Sequence, residues 1–289
     1  MATYLNGYTL LERVRIQLGE FSTAYVNGTD STGKYKNFQI MDGINAAQRF
    51  IYNTLFTRIP YTFEEEIALT GVSSVYTLPA DFGQLRYFKD ADGYQIFPIS
   101  TDQRRTTNSS GSDRRYYRKG NTLVVDKASS TDVCTLIYYR KCRDIHQGKA
   151  SAGAATSITF STDAKLIVDY YNGLTIENIT KGWVDVIDDY AVTRVATISE
   201  TAAANDYYGT VSDLPESFHF LMVPRAVFEI TGGFPGTKDS KISGIEFFQR
   251  DLMATLRAYA GAPLDTYPEQ LWCSYASGYG GPGARIPGH

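Results

Sequence analysis

The sequence predicts an α+β protein in which a helical bundle packs with an antiparallel β-sheet domain, and a small all-β module is inserted into that body. Three observations predict it. Apolar residues recur at helical spacing near the N-terminus, at 40–55 and again after Pro215. Between these stretches lie short β-type runs broken by Gly, Pro and Asp-Gly. The segment 146–213 alternates like strands and carries an excess of acids over bases.

The elements follow in order. Thr9-Leu10-Leu11-Glu12 has capping-box spacing, with Leu11, Val14 and Leu18 on one helical face and Gly19 to end it. Residues 22–36 are rich in Gly, Ser, Thr, Asn and Asp and read as a loop. Ile40, Ile44, Ala47, Ile51 and Leu55 then mark one face of a second helix, which Pro60 closes. Strands are predicted at 67–69, 75–78, 85–88 and 94–99, with Asp92-Gly93 as a hairpin turn. A polar arm at 101–120 interrupts, and strands resume at 122–125 and 134–139.

Within the acidic segment, strands are expected at 156–160, 165–168, 174–176, 183–187 and 191–198. Helices return at 216–230 and 243–260. Pro224 should kink or split the first of these, and Ser243-Gly244-Ile245-Glu246 forms a capping box for the second. The domain reading is therefore a body of 1–145 and 214–261, an inserted β module at 146–213 and an extended C-terminal arm at 262–289.

Composition narrows the function classes. With 289 residues, 43% hydrophobic and 20% charged, the chain is neither collagen-like, coiled-coil nor wholly disordered. No apolar run reaches the roughly 18 to 20 residues of a membrane span, so no membrane partner is expected. Glu12, Arg13 and Arg15 interrupt the opening segment, which argues against a secretory signal. The net charge of -3 lacks the basic excess of a general nucleic-acid binder. Cys134, Cys142 and Cys273 make an odd set, read as reduced thiols. The 22 tyrosines suit half-wet protein interfaces and sheet surfaces.

Catalytic and metal chemistry finds little support. The histidines are His146, His219 and His289: one in an expected linker, one on a helix beside Phe218 and Phe220, and one at the last position. None is spaced to serve a nucleophile. Cys134 and Cys142 lack zinc-ligand spacing, and Asp90-Ala91-Asp92-Gly93 lacks the rest of a calcium loop. Gly278-Tyr279-Gly280-Gly281-Pro282-Gly283 matches a bare dinucleotide pattern without its strand and helix. Glu64-Glu65-Glu66 and Asp188-Asp189 read as solvated charge at strand ends, because neighbours on a strand face opposite ways. No cofactor, metal or catalytic set is expected, and the chain reads as a non-enzyme.

Two segments carry candidate contacts. The arm holds Arg104, Arg105, Arg114, Arg115, Arg118 and Lys119 around Tyr116 and Tyr117, a net charge of +4 over 102–119. It can touch a phosphate backbone or pair with acids of a neighbouring subunit, the acidic segment being one such partner. The C-terminal arm holds Tyr267, Leu271, Trp272, Tyr275 and Tyr279 without a period that would bury them in their own chain.

The order of short phrases resembles the head-tail adaptor (connector, tail tubular protein A-like) family of tailed bacteriophages. The phrases are Tyr76-Thr77-Leu78-Pro79-Ala80-Asp81-Phe82, then Asp92-Gly93, then Tyr116-Tyr117 with Gly120-Asn121. Leu136-Ile137-Tyr138-Tyr139-Arg140 and Leu214-Pro215 complete the order. The resemblance covers about 37–143 and 214–260. The acidic segment departs from the family and is itself similar to a β segment that recurs in phage virion proteins.

The resemblance implies a structural virion protein at the head-tail junction, assembled in the host cytoplasm. It would form a homo-oligomeric ring, typically of twelve copies, between the portal protein and the next tail protein, with genomic DNA passing through without sequence-specific contact. On that reading the C-terminal arm contacts portal or a neighbouring subunit, and the basic arm contacts a subunit or the tail. Another tail component (tube, nozzle or baseplate), or a carbohydrate-binding or hydrolytic tail-fibre domain, stands as the alternative.

Overall fold

The computed structural model describes residues 5–20, 33–99, 114–126, 133–232 and 241–260, without the side chains of 241–243. Most of the 22–36 loop therefore lies outside the described residues. Among those described, four α-helices and several mainly antiparallel sheets make a mixed α+β protein.

Helix α1 spans Gly7–Gln17. It starts earlier than the Thr9 box predicts, because Asn6 is the cap: its Oδ1 accepts the Thr9 N–H at 2.9 Å. The extra turn seats Tyr8, which is buried and whose ring lies 5.9 Å from that of Tyr207. Arg15 is also buried near the end of α1, where Glu20 and Asn37 hold its guanidinium.

Helix α2 spans Asn37–Arg58, and a 3-10 turn at Pro60–Phe63 leads off it. Helix α3, His219–Thr231, follows a 3-10 turn at Glu216–Phe218. It runs through Pro224 without dividing, so the split allowed for at this proline does not occur. Packing of Leu221, Met222, Val223, Ala226 and Val227 into one core outweighs the single backbone bond that proline forgoes. Helix α4 spans Lys241–Ala260, starting two residues ahead of Ser243. All four helices contribute to one apolar cluster that includes Leu10, Ile44, Ile51, Phe218 and Leu256.

The strands after α2 form two sheets. One comprises β1 (Glu64–Thr70), β3 (Phe82–Lys89) and β7 (Val133–Arg140), ordered β1-β7-β3 and wholly antiparallel. The other comprises β2 (Val75–Thr77), β4 (Phe97–Pro98), β5 (Arg115–Lys119) and β6 (Thr122–Asp126), ordered β2-β6-β5-β4, with only β4 and β5 parallel. Tyr76, Leu78, Phe88, Leu123, Cys134 and Leu136 form the core between them. The acidic run at 64–66 is not merely solvated: Glu64 pairs with Arg86, and Glu65 lies 3.3 Å from Arg140 Nε.

Residues 147–210 build two further four-stranded sheets. The first contains β8 (Gln147–Lys149), β11 (Thr175–Asn178), β12 (Trp183–Val186) and β15 (Tyr207–Thr210). The second contains β9 (Ala152–Ala154), β10 (Ser157–Thr159), β13 (Asp189–Tyr190) and β14 (Val195–Thr197). Ile158, Phe160, Tyr171, Ile176, Tyr190 and Tyr208 give this region a core of its own.

Two strand expectations are corrected. Residues 165–168 form no strand: Leu166, Ile167 and Val168 are all exposed, so no alternating face exists. Tyr190 Oη donates to Lys165 O at 2.7 Å, and Asp169 turns the chain at a φ of 61°. Of 191–198 only β14 is strand, because Arg194 N–H bonds back to Ala191 O at 2.9 Å and closes a tight turn.

Part of the tyrosine excess fills cores: Tyr76, Tyr138, Tyr170, Tyr171, Tyr190 and Tyr208 are buried.

Candidate interaction surfaces

Three of the phrases singled out in the sequence meet at one corner of the β-sheet region. Leu78 N–H donates to Asn121 O at 3.0 Å, and Asn121 Nδ2 donates back to Leu78 O at 3.2 Å. Tyr138 Oη donates to Asp81 Oδ1 at 2.9 Å, and its ring stacks on Phe82 at 5.6 Å. Burial first, then the Asp81 charge, raises the Tyr138 hydroxyl well above its ordinary pKa and keeps it a neutral donor. The residues of Tyr76–Phe82, Gly120–Asn121 and Tyr138 thus serve the fold by locking β2, β3, β6 and β7 together.

The basic arm, read as a polar interruption between strands, is partly a hairpin. β5 and β6 pair from Arg115↔Asp126 to Lys119↔Thr122, and Gly120 takes the left-handed φ of 60° that the two-residue turn needs. Period-two geometry sorts its side chains. Tyr116 faces inward, its ring edge-on to Phe88 at 5.6 Å, and burial raises its pKa. Arg118 lies on that same face, with its guanidinium 5.1 Å from the Phe82 ring and Nε bonded to Gly120 O at 3.0 Å. Arg115 and Lys119 share the opposite face and are exposed, while Arg114 is half-buried. Arg104 and Arg105 lie outside the described residues, as do Tyr267, Leu271, Trp272, Tyr275, Tyr279, Cys273 and His289.

Much of the acidic segment's charge is used internally. Burial works to raise Asp206, yet bonds from Asn178, Ala203 N–H and Lys181 leave it below the usual carboxylate range. Asp185 is lowered likewise: burial opposes, and donors from Val186, Ser199 and Glu200 prevail. Asn178, which opens the formal glycosylation sequon Asn178-Ile179-Thr180, is fully buried. Asp188 and Asp189 remain exposed.

A joint that the sequence reading missed connects the three cores. Arg143 is buried, and its Nε and Nη2 reach the two oxygens of Asp213 at 3.0 and 2.7 Å. Its own N–H adds a third bond to Asp213 at 3.1 Å, and Nη1 donates to Asn172 O. Burial alone would lower the Arg143 pKa, but the Asp213 bonds and charge outweigh it and raise it. From α2, Asn45 brackets Ile145 through Nδ2–H to its carbonyl at 3.1 Å and Oδ1 from its N–H at 2.7 Å. Gln48 Nε2 donates to Arg143 O at 2.5 Å. The signal was present: Asn45 and Gln48 stand on the apolar stripe of α2 beside Ile44 and Ile51, and buried amides need partners.

His146 is not a linker residue. Its ring is buried 2.9 Å from Tyr208 Oη and 3.1 Å from Ser161 Oγ, stacked on Phe160 at 5.6 Å. Ser161 Oγ donates to Asp163 at 2.6 Å, so its proton is directed away from the imidazole, and the cluster holds β8 to β15. His219 is likewise buried, accepting the Leu5 N–H at 3.1 Å through Nδ1 and facing Leu214 O at 2.8 Å through Nε2. Among the described residues, no three His, Cys, Asp or Glu side chains are grouped to hold a metal. No described helix is long and apolar enough to cross a membrane.

Comparison with curated proteins gives no match. The family model of the SU10 adaptor protein matches residues 5–165, a span running from α1 through α2, both sheets of the β region and the start of the acidic segment. That span contains the locked corner, the basic hairpin and the α2 side of the Arg143 joint. The chain therefore belongs to the SU10 adaptor protein family, a family of structural adaptor proteins of bacteriophages.

Proposed function

We propose that this protein is the ring-forming head-tail adaptor of a tailed bacteriophage, joining the portal protein to the tail and letting genomic DNA pass through the ring. The observation that carries the reading is the family match over 5–165. The structure supports it in one further respect: the buried polar side chains serve packing. His146 and His219 are core groups, Asp206 and Asp213 are bonded internally, and Tyr138 braces Asp81.

In this reading residues 146–213 form a β module carried on the outside of the ring, supported by a core of their own. The exposed face of the β5–β6 hairpin, with Arg115 and Lys119, pairs with carboxylates of a neighbouring subunit or of the next tail protein. The C-terminal arm at 262–289 reaches portal or a neighbouring subunit after assembly.

Native mass spectrometry of the purified protein with portal tests the whole. A cyclic species of about twelve copies, a stoichiometry expected from the family resemblance, is the predicted result. A protein that stays monomeric beside assembled portal refutes it, and a sixfold stack points to a tail tube instead.

A further inference from the structure

Among the described residues, the helix packing leaves one flank open. α2 and α3 are tightly apposed: a Cβ on Gly43 would come within 2.8 Å of Ile230 Cγ1. α4, in contrast, meets α2 through the tilted ring pair Phe50–Phe248 at 6.1 Å. Beside that pair runs a groove of about 810 Å³ between residues 50–58 of α2 and 246–257 of α4. Phe50 and Met253 supply its apolar surface, and Phe247 stands at its edge 52% exposed. Arg58, Arg250 and Arg257 also line it, against the single acid Glu246.

An apolar, positively charged groove calls for an acidic segment with large apolar anchors. The chain itself carries one. α4 ends at Ala260, three residues beyond Arg257, and 29 residues follow. The first basic residue among them is Arg285, whereas Asp265 and Glu269 stand among Leu264, Leu271, Trp272 and Tyr275. Gly261-Ala262-Pro263 is a turn-type sequence at the point where the chain must reverse to re-enter the groove. Twelve helical residues at 1.5 Å each make the groove about 18 Å long. About six extended residues cover that length, so Trp272 is well within reach. A tether this short gives the chain's own segment an effective concentration near the millimolar range, ahead of any free competitor.

We propose that the groove between α2 and α4 is the docking site of the chain's own segment 264–275, which occupies it in the unassembled protein. The inference rests on the groove and the segment, not on the ring reading. It is tested on the isolated full-length chain, so the two can fail separately.

Asn53, exposed on the α2 wall, is changed to Cys, and a short bis-maleimide is used to bridge it to native Cys273. Cys134 is buried, and burial pushes the Cys142 thiol well above its ordinary range, so both react poorly. The expected product is a bridge within one chain, at the monomer mass plus one linker and formed independently of protein concentration. Cys273→Ser should abolish it. Ala254→Glu, an acid placed on an exposed wall position, should lower its yield about tenfold or more.

A second readout uses Trp183→Phe, which leaves Trp272 as the sole tryptophan. Its emission should lie to the blue of the denatured chain and move to the red with Ala254→Glu. A bridge that joins two chains, or one that forms only when portal is added, overturns the proposal in favour of those occupants. Absence of any bridge, with Trp272 emitting as in the denatured chain, overturns it outright.

Discussion

Replacing Asp213 by Ala should be among the most damaging single changes outside the apolar cores. The side chains of Arg143 and Asp213 are 3% and 4% exposed, so neither is rehydrated by small movements. The substitution removes three bonds at once, from Arg143 N–H, Nε and Nη2, leaving the guanidinium with Asn172 O. Stranding one charge of a buried pair costs about 3 to 5 kcal/mol, whereas an exposed pair contributes about 1 kcal/mol or less. Arg49–Asp144, one residue along the same segment, supplies the internal comparison: 2.5 Å apart, but with the arginine 51% exposed.

Urea unfolding followed by helical circular dichroism and by Trp183 fluorescence measures both effects, with Trp272 replaced by Phe so that the emission reports the acidic segment alone. Asp213→Ala should lower the unfolding free energy by about 3 to 5 kcal/mol and Arg49→Ala by less than about 1. Because Arg143 is bonded to Asn172 as well as to Asp213, the two signals should also separate in the Asp213 variant. Equal effects of the two substitutions would refute the argument that burial decides the value of this pair.

The remaining expectations concern other contacts. Burial, assisted by Lys165 and opposed by Asp163, pulls His146 down to about 4, against about 6.5 in an unfolded chain. The unfolded chain binds more protons between those values, so stability is full above about pH 6.5 and falls toward pH 4, by on the order of 3 kcal/mol from this group. His219, also lowered by burial, acts in the same direction. His146→Gln should flatten the pH profile of the urea midpoint in that window, and an unchanged slope would contradict the assignment. Tyr138→Phe should cost about 1.5 kcal/mol by the same unfolding assay, because Asp81 loses a charged hydrogen bond but is open enough to rehydrate. Changing Arg114 and Arg115 together to Ala should reduce ring or tail assembly in a salt-sensitive manner. Loss of DNA retention alone would place the hairpin at the lumen instead. Excising 147–212 with a short linker, which keeps Asp213 on Arg143, should preserve the α2–α4 circular dichroism signal. α1 should loosen, since the excision removes Tyr207 from Tyr8 and Glu177 from Asn6.

The residues themselves determined the identity of most elements. The spacing of Ile40, Ile44, Ile51 and Leu55 was enough for α2, and Asp92-Gly93 for its turn, because both depend on contacts within a few residues. The ordered phrases from Tyr76 to Arg140 likewise pointed to the adaptor family from sequence alone. Tertiary structure decided everything that depends on who faces whom. Helix α1 began at Gly7 under the Asn6 cap, with Tyr8 seated against Tyr207 nearly two hundred residues away, and α3 ran through Pro224 because its core face was held on both sides. The basic arm became a hairpin when β6 and β4 paired with it, and the acidic segment spent Asp185, Asp206 and Asp213 on donors remote in sequence. A charge or an amide carries no mark of its partner along the chain. Burial decides whether Arg143 and Gln48 are joints or ornaments of the surface, and burial is a property of the packed whole.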